Sequence, residues 1–179
     1  MLLIFVLILL VGCTETKPRQ VEGLEEEIMV EPTTKLSNTL KAKILSLDFS
    51  ELNKFLTTQN DTIYVVNFWA TWCRPCVKEL PSFEKLTADY SDKPLKVLLV
   101  SLDFPDKIDS QVVPFIEKNN IQSQVLLLDD GDANSWIPKV SEKWSGAIPA
   151  TLIYNRNKRL FYEQSFSFEE LQGELTKFM

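Results

Sequence analysis

Two cysteines stand three positions apart in the run Asn67-Phe68-Trp69-Ala70-Thr71-Trp72-Cys73-Arg74-Pro75-Cys76. Just upstream, Tyr64 to Phe68 is apolar and β-branched enough for a buried strand, within a segment that reads as strand from Ile63 to Trp69. Downstream, Val77 to Tyr90 has helical spacing, with Val77, Leu80, Phe83, Leu86 and Tyr90 on one stripe. A C-x-x-C pair at such a junction has one sulfur at a helix N-terminus. Unsatisfied N–H groups and the positive end of the helix dipole stabilise an anion there. A thiolate is such an anion, and it is the nucleophile of disulfide exchange. The expectation is one activated, accessible thiol with a second thiol close enough to close a disulfide.

The rest of the chain alternates in the same way. Ala42 to Leu47 reads as a strand and Phe49 to Leu56 as a short amphipathic helix. After the C-x-x-C helix, in which Pro81 predicts a kink, Leu95 to Leu102 is another buried strand. Val113 to Asn119 reads as a helix with Pro114 in its first turn, Val125 to Leu128 as a short strand, and Asp132 to Lys143 as helical. Thr151 to Tyr154 and Arg159 to Tyr162 form a hairpin around Asn155-Arg156-Asn157-Lys158. Ser167 with Glu170 is a capping box that opens a last helix, Phe168 to Phe178. The fold class is therefore α/β, a central mixed β-sheet flanked by helices and preceded by an N-terminal extension. The helix-crossed strands are parallel and the hairpin supplies antiparallel edges.

Composition removes several functions. The chain has no histidine, which excludes histidine triads and the commonest transition-metal ligand. No basic stripe appears and the formal charge is -6, so nucleic acid is not the expected partner. No metal site and no cofactor beyond the redox-active cysteine pair is expected.

The third cysteine belongs to the N-terminus. Met1 to Val11 is apolar without a break and turns abruptly polar at Thr14. That run is too short to span a bilayer, for which a helix needs about twenty residues, and it suits the core of a secretory signal. Leu10-Val11-Gly12-Cys13 resembles the lipobox of bacterial lipoproteins, although no Lys or Arg precedes the apolar run. The resemblance implies cleavage before Cys13 and lipid on its sulfur. The competing reading is a buried N-terminal strand or helix with an incidental cysteine. On the lipoprotein reading, residues 1–12 are a signal peptide, residues 13–40 a polar tether on the membrane, and residues 41–179 the folded domain. Export also places Cys73 and Cys76 in an oxidising compartment, where disulfides persist.

Trp72-Cys73-Arg74-Pro75-Cys76 at its strand-to-helix junction, with Ile148-Pro149 before the final β-β-α unit, resembles the thioredoxin superfamily. The phrase Asn67 to Cys73 and the Glu79-Leu80-Pro81 that follows the second cysteine resemble more narrowly the TlpA/ResA-like membrane-anchored thiol-disulfide oxidoreductases. The resemblance implies a thioredoxin-like fold from about Lys41 onward. It also implies that Cys73 attacks, that Cys76 resolves the mixed disulfide, and that Pro149 is a cis proline facing the pair. Such a bond frees the Ile148 backbone to pair with an extended substrate. Trp72, Arg74 and Pro75 join Ile148 and Pro149 as substrate-binding candidates.

Asn67 occupies the place where thioredoxins carry a buried aspartate, and an amide cannot titrate. Glu79 has two readings. As a catalytic base it shares a helix face with Cys76, about 5–6 Å away between Cβ atoms, and partial burial raises its pKa. The other reading is a solvated helix glutamate. Arg74 between the cysteines favours the Cys73 thiolate, or else is a surface cation with a screened effect. Trp69 and Trp72 are candidates to cover the disulfide, Trp136 and Trp144 read as core or substrate-groove residues, and packing is the favoured reading for all but Trp72.

The favoured function is an exported, lipid-anchored thiol-disulfide oxidoreductase. It would be a monomer in the bacterial cell envelope, facing the periplasm from the inner or outer membrane and reducing disulfides of other exported proteins. Apocytochrome c is one such substrate class, which links the protein to cytochrome c maturation. A reductant in an oxidising space needs re-reduction, which by family likeness implies a membrane electron donor of DsbD or CcdA type. The alternatives are a disulfide oxidant or isomerase and a redox-inactive thioredoxin-like binding module. Less favoured are a peroxiredoxin, whose Pro-x-x-x-Thr-x-x-Cys setting is missing, and a Cu(I) carrier without the histidine such carriers add.

Overall fold

The computed structural model describes residues 44–179. The expected signal peptide, Cys13 and the tether lie outside the described residues. Six strands form a single sheet in the order β1-β4-β3-β2-β5-β6. They are β1 (Leu45–Leu47), β2 (Ile63–Trp69), β3 (Leu95–Ser101), β4 (Gln124–Leu128), β5 (Ala150–Tyr154) and β6 (Arg159–Tyr162). Five α-helices accompany them: α1 (Phe49–Leu56), α2 (Arg74–Asp89), α3 (Val113–Lys118), α4 (Ala133–Val140) and α5 (Phe168–Leu175).

The β1, β4, β3 and β2 strands run parallel, joined by helical crossovers, while β5 and β6 are antiparallel to their neighbours. This is the mixed sheet that the alternation of segments predicts. Every residue of β2 is buried, as a strand covered on both faces requires. Its alternate side chains divide between two cores. Val65 and Trp69 meet Leu80, Phe83 and Leu86 of α2 and Leu171 and Leu175 of α5. Tyr64, Val66 and Phe68 meet Leu52 and Leu56 of α1 and Trp136 and Val140 of α4. The result is three layers, with helices on both faces of the sheet.

Local signals explain where elements begin. Asp48 accepts the Glu51 N–H while Glu51 returns a bond to the Asp48 N–H, closing a capping box at α1. Ser167 and Glu170 do the same at α5. The α2 helix starts earlier than its apolar stripe implied, with Pro75 in the first turn and Cys73 itself as N-cap. It is assigned as helix through Pro81, which lies on its exposed side, and ends at Asp89. The segment after β3, without an assignment from sequence, folds as a 3₁₀ turn (Pro105–Lys107) and a π turn (Ile108–Val112) leading into α3.

Topology brings two distant segments together. The β2 strand ends next to the start of antiparallel β5, with Phe68 opposite Ala150. The loop that leaves β2 therefore meets the loop that enters β5, and these carry Cys73 and Pro149 respectively.

Candidate active site

Cys73 and Cys76 form a disulfide at the head of α2, with Cα atoms 5.3 Å apart. Cys73 Sγ accepts the Cys76 N–H at 3.3 Å. This places the sulfur against the free amides of the first helical turn, the position that favours a thiolate once the bond is reduced. Cys73 is only 5% exposed and Cys76 is fully buried, so Cys73 is the more accessible sulfur although more closely covered than expected. The Ile148–Pro149 bond is cis, as the family resemblance implies, and the Ile148 carbonyl oxygen lies 3.8 Å from Cys73 Sγ. Pro149 is buried, and Ile148 is half-buried between the two cores. Gly146, with φ of +95°, supplies the backbone turn that leads into this bond.

The remaining candidates separate into surface and interior. Arg74 and Pro75 are exposed in the first turn of α2, and no ion pair among the described residues engages Arg74. Trp72 stands 61% exposed beside the pair, so it offers an apolar face to solvent instead of covering the disulfide. Trp69 is fully buried, in tilted contact with Phe115 within the core that holds both cysteines. Trp136 and Trp144 pack in the opposite core, as read from sequence.

Glu79 is not a solvated helix residue: it is 4% exposed and faces the sheet. Its Oε1 accepts from Asn67 Nδ2 at 2.8 Å, and its Oε2 accepts the Phe166 N–H at 2.7 Å. Burial pushes its pKa up from 4.5 to about 7 against the opposing pull of these two hydrogen bonds, the Phe166 N–H first and Asn67 second. A carboxyl poised near neutrality, one turn beyond Cys76 on the same helix, has the proton affinity a general base needs.

Sequence reasoning missed a second buried carboxylate. Asp103, just beyond β3, accepts the Thr71 N–H at 2.9 Å, the Thr71 hydroxyl at 2.5 Å and the Ser101 hydroxyl at 2.8 Å. It ties the loop before Cys73 to the end of β3. The signal was the alternation of polar Ser101 and Asp103 directly after the apolar run Val97 to Val100. Next to it, Phe104 is 68% exposed. Among the described residues no cluster of His, Cys, Asp and Glu is arranged to hold a metal ion. No helix among them is long and apolar enough to cross a membrane.

The AhpC/TSA family model matches residues 39–162. Thiol-disulfide oxidoreductase ResA of Oceanobacillus iheyensis is 41% identical over 113 residues, which cover 62% of this chain and 54% of that protein. Thioredoxin-like protein YneN of Bacillus subtilis is 40% identical over 63 residues, covering 35% of this chain and 36% of that protein. The chain thus spans about half or less of these curated relatives. In fold, it is similar to the thioredoxin-related protein from Neisseria meningitidis serogroup B, with a TM-score of 0.58 and 19% identity over 68% of this chain and 87% of that one.

Proposed function

The chain belongs to the AhpC/TSA family and has the thioredoxin-like fold of the TlpA/ResA-like group it resembles, and from this we propose that it is a thiol-disulfide oxidoreductase acting through Cys73 and Cys76. The observation that carries the reading is the pair itself: two disulfide-linked cysteines at the head of α2, with a buried carboxyl of raised pKa one turn behind the inner one.

In the reducing direction the reduced pair meets a substrate disulfide. The Cys73 thiolate, held by the helix amides, attacks one substrate sulfur. The substrate S–S bond breaks and a mixed disulfide with Cys73 forms, leaving one substrate thiolate. Ionised Glu79 takes the proton of the Cys76 thiol. The Cys76 thiolate then attacks Cys73 Sγ, closes the Cys73–Cys76 bond and expels the second substrate thiolate. Two electrons pass from the pair to the substrate; the Cys76 proton passes by way of Glu79 to one leaving thiolate, and the other takes from solvent the proton that Cys73 gave up on ionising. Trp72, Arg74 and Pro75 form the exposed rim, and Ile148 and Pro149 the opposite wall along which an extended substrate segment lies. Asn67 and Thr151 sit behind Glu79 and do not touch the reacting atoms.

The finer reading extends the domain scheme read from sequence. Residues 1–12 are removed, Cys13 carries lipid, residues 13–40 tether the domain, and exported proteins with disulfides, apocytochromes c among them, are substrates. A DsbD- or CcdA-type membrane protein returns electrons. The test is reduction of insulin with dithiothreitol as electron source. Wild type accelerates it, Cys73→Ser abolishes the acceleration, and Cys76→Ala accumulates mixed disulfides on Cys73. No acceleration by wild type would leave only a binding module, and a full rate with Cys73→Ser would refute the role of Cys73. Labelling with radioactive palmitate that depends on Cys13 tests the anchor separately.

A further inference from the structure

Asn67 carries a polar feature of the site that the exchange reaction does not use. It lies in the middle of β2, fully buried, on the face covered by α2 and α5. Its Nδ2 donates to Glu79 Oε1 at 2.8 Å and to Thr151 Oγ1 at 3.2 Å across the β2–β5 pairing. Its Oδ1 is buried and has no hydrogen-bond partner among the described residues. A buried amide usually satisfies its oxygen, so an orphan carbonyl in this position calls for an explanation.

The surroundings of Glu79 supply one. Both of its oxygens receive donors, Asn67 Nδ2 on one and the Phe166 N–H on the other. That arrangement suits a carboxylate and opposes a carboxylic acid, because a proton on either oxygen points at an N–H. Yet the carboxyl must hold a proton for part of each reaction cycle. The partners of Asn67 differ in kind. The Phe166 N–H is backbone and cannot change role. The Asn67 amide is a donor on one side and an acceptor on the other, and a half-turn about its last torsion exchanges them. The Thr151 hydroxyl accepts from Nδ2 in one orientation and donates to Oδ1 in the other.

We propose that Asn67 is a positioning residue whose side-chain amide reverses with the charge of Glu79. Nδ2 faces the ionised carboxylate, and Oδ1 turns to accept the O–H of the protonated acid, with Thr151 following by rotating its hydroxyl. The turn gives the neutral acid the acceptor it otherwise lacks, so the proton leaving Cys76 enters a site matched to both of its states. The orphan oxygen is then the idle half of a two-state donor-acceptor group. This rests on the reading of Glu79 as the group that takes the Cys76 proton.

The electrostatic setting is simple. The groups bonded to Glu79 are neutral. The titratable side chains packed into the same core are Cys73 and Cys76 at the head of α2, Tyr90 at its end and Tyr162 of β6. Tyr162 donates its O–H to Glu174 of α5, and burial leads in raising its pKa, so it stays neutral over the range of interest. Tyr162 and the disulfide are uncharged while Glu79 titrates.

The experiment is an NMR titration of the full chain, oxidised and labelled with ¹³C and ¹⁵N. The Glu79 carboxyl carbon reports ionisation. Hydrogen-bond scalar coupling from Asn67 Nδ2 to that carbon reports which way the amide points. The expected result is a carboxyl midpoint near neutrality, with the coupling present above it and lost below it. Coupling on both sides of the midpoint means a fixed amide and overturns the proposal while leaving the role of Glu79 intact. A carboxyl carbon that does not titrate between about pH 5 and 9 overturns both.

Discussion

Replacing Glu79 by Gln should abolish a specific dependence of stability on pH. In the folded chain this carboxyl is pushed up from 4.5 to about 7, burial outweighing the hydrogen bonds from Phe166 and Asn67. Between those values the unfolded chain has released the proton that the folded chain still holds. The native state then binds more protons, so stability falls as pH rises. The contribution is fully present below about pH 4.5 and is lost as pH climbs through about 7. A shift from 4.5 to about 7 corresponds to about 3 kcal/mol. Gln is neutral throughout and close to Glu in volume. Its carbonyl accepts the Phe166 N–H, and its NH₂ faces a turned Asn67 amide. The variant should therefore lack the loss. Urea denaturation of both proteins in half-unit steps from pH 4.5 to 8, with the disulfide kept intact, measures the difference, and other titrating groups cancel. The stability of the variant relative to wild type should rise by about 3 kcal/mol across the range, a relative midpoint change on the order of 1–3 M urea. A difference constant to within about 0.5 kcal/mol would refute the assignment of a perturbed pKa to this residue.

Other expectations follow from single contacts. Asp103→Ala strands the Thr71 N–H and the Ser101 hydroxyl, and should lose about 2–4 kcal/mol by urea denaturation, with Asp103→Asn recovering much of it. Gly146→Ala places a Cβ 3.1 Å from Ile137 Cδ1 at a φ of +95°, and should lower stability by about 1–2 kcal/mol in the same assay. Trp72→Ala removes a side chain that is 61% exposed, so stability should change by less than about 0.5 kcal/mol. Turnover of a protein disulfide should nevertheless fall several-fold while reaction with a small aromatic disulfide persists. Equal losses on both substrates would contradict a substrate-binding rim.

The sheet was legible because its central strands β2 and β3 are long and apolar and its later elements are bounded by clear turn and cap signals. Ile63–Trp69 and the Ser167–Glu170 capping box appear in the structure where the sequence places them. The redox pair was legible because the spacing of two sulfurs on a helix is a local property. The environment of Glu79 was not. Helical spacing relates it to Cys76, but its burial comes from Phe166 and Asn67, far away in sequence and brought close by β2 and the approach to α5. Asp103 escaped for a similar reason. A carboxylate just after a strand looks like the start of a loop, and only the β2–β3 pairing shows that it reaches back to Thr71. Trp72 shows the opposite failure. An aromatic side chain next to a disulfide invites a covering role, yet the chain has already turned outward there, and burial falls to Trp69 at the end of the strand.

The division between the two cysteines has a consequence for pH. In the proposed mechanism the Cys73 thiolate is held by backbone amides at a helix end, which do not titrate. In the same mechanism Cys76, to which no backbone amide donates among the described residues, depends on the Glu79 carboxyl, whose charge changes near neutrality. Attack on a substrate should therefore follow the Cys73 thiolate alone, while resolution of the mixed disulfide should follow Glu79 as well. Single-turnover reduction of a substrate disulfide, monitored separately for formation and decay of the mixed species, distinguishes the steps. In Glu79→Gln, formation should keep its wild-type pH profile, and decay should slow by roughly 10²-fold, the lower end of the usual range for general base catalysis. If formation slows instead, the carboxyl acts on the outer sulfur, and the assignment of the two thiols to separate proton-handling systems is wrong.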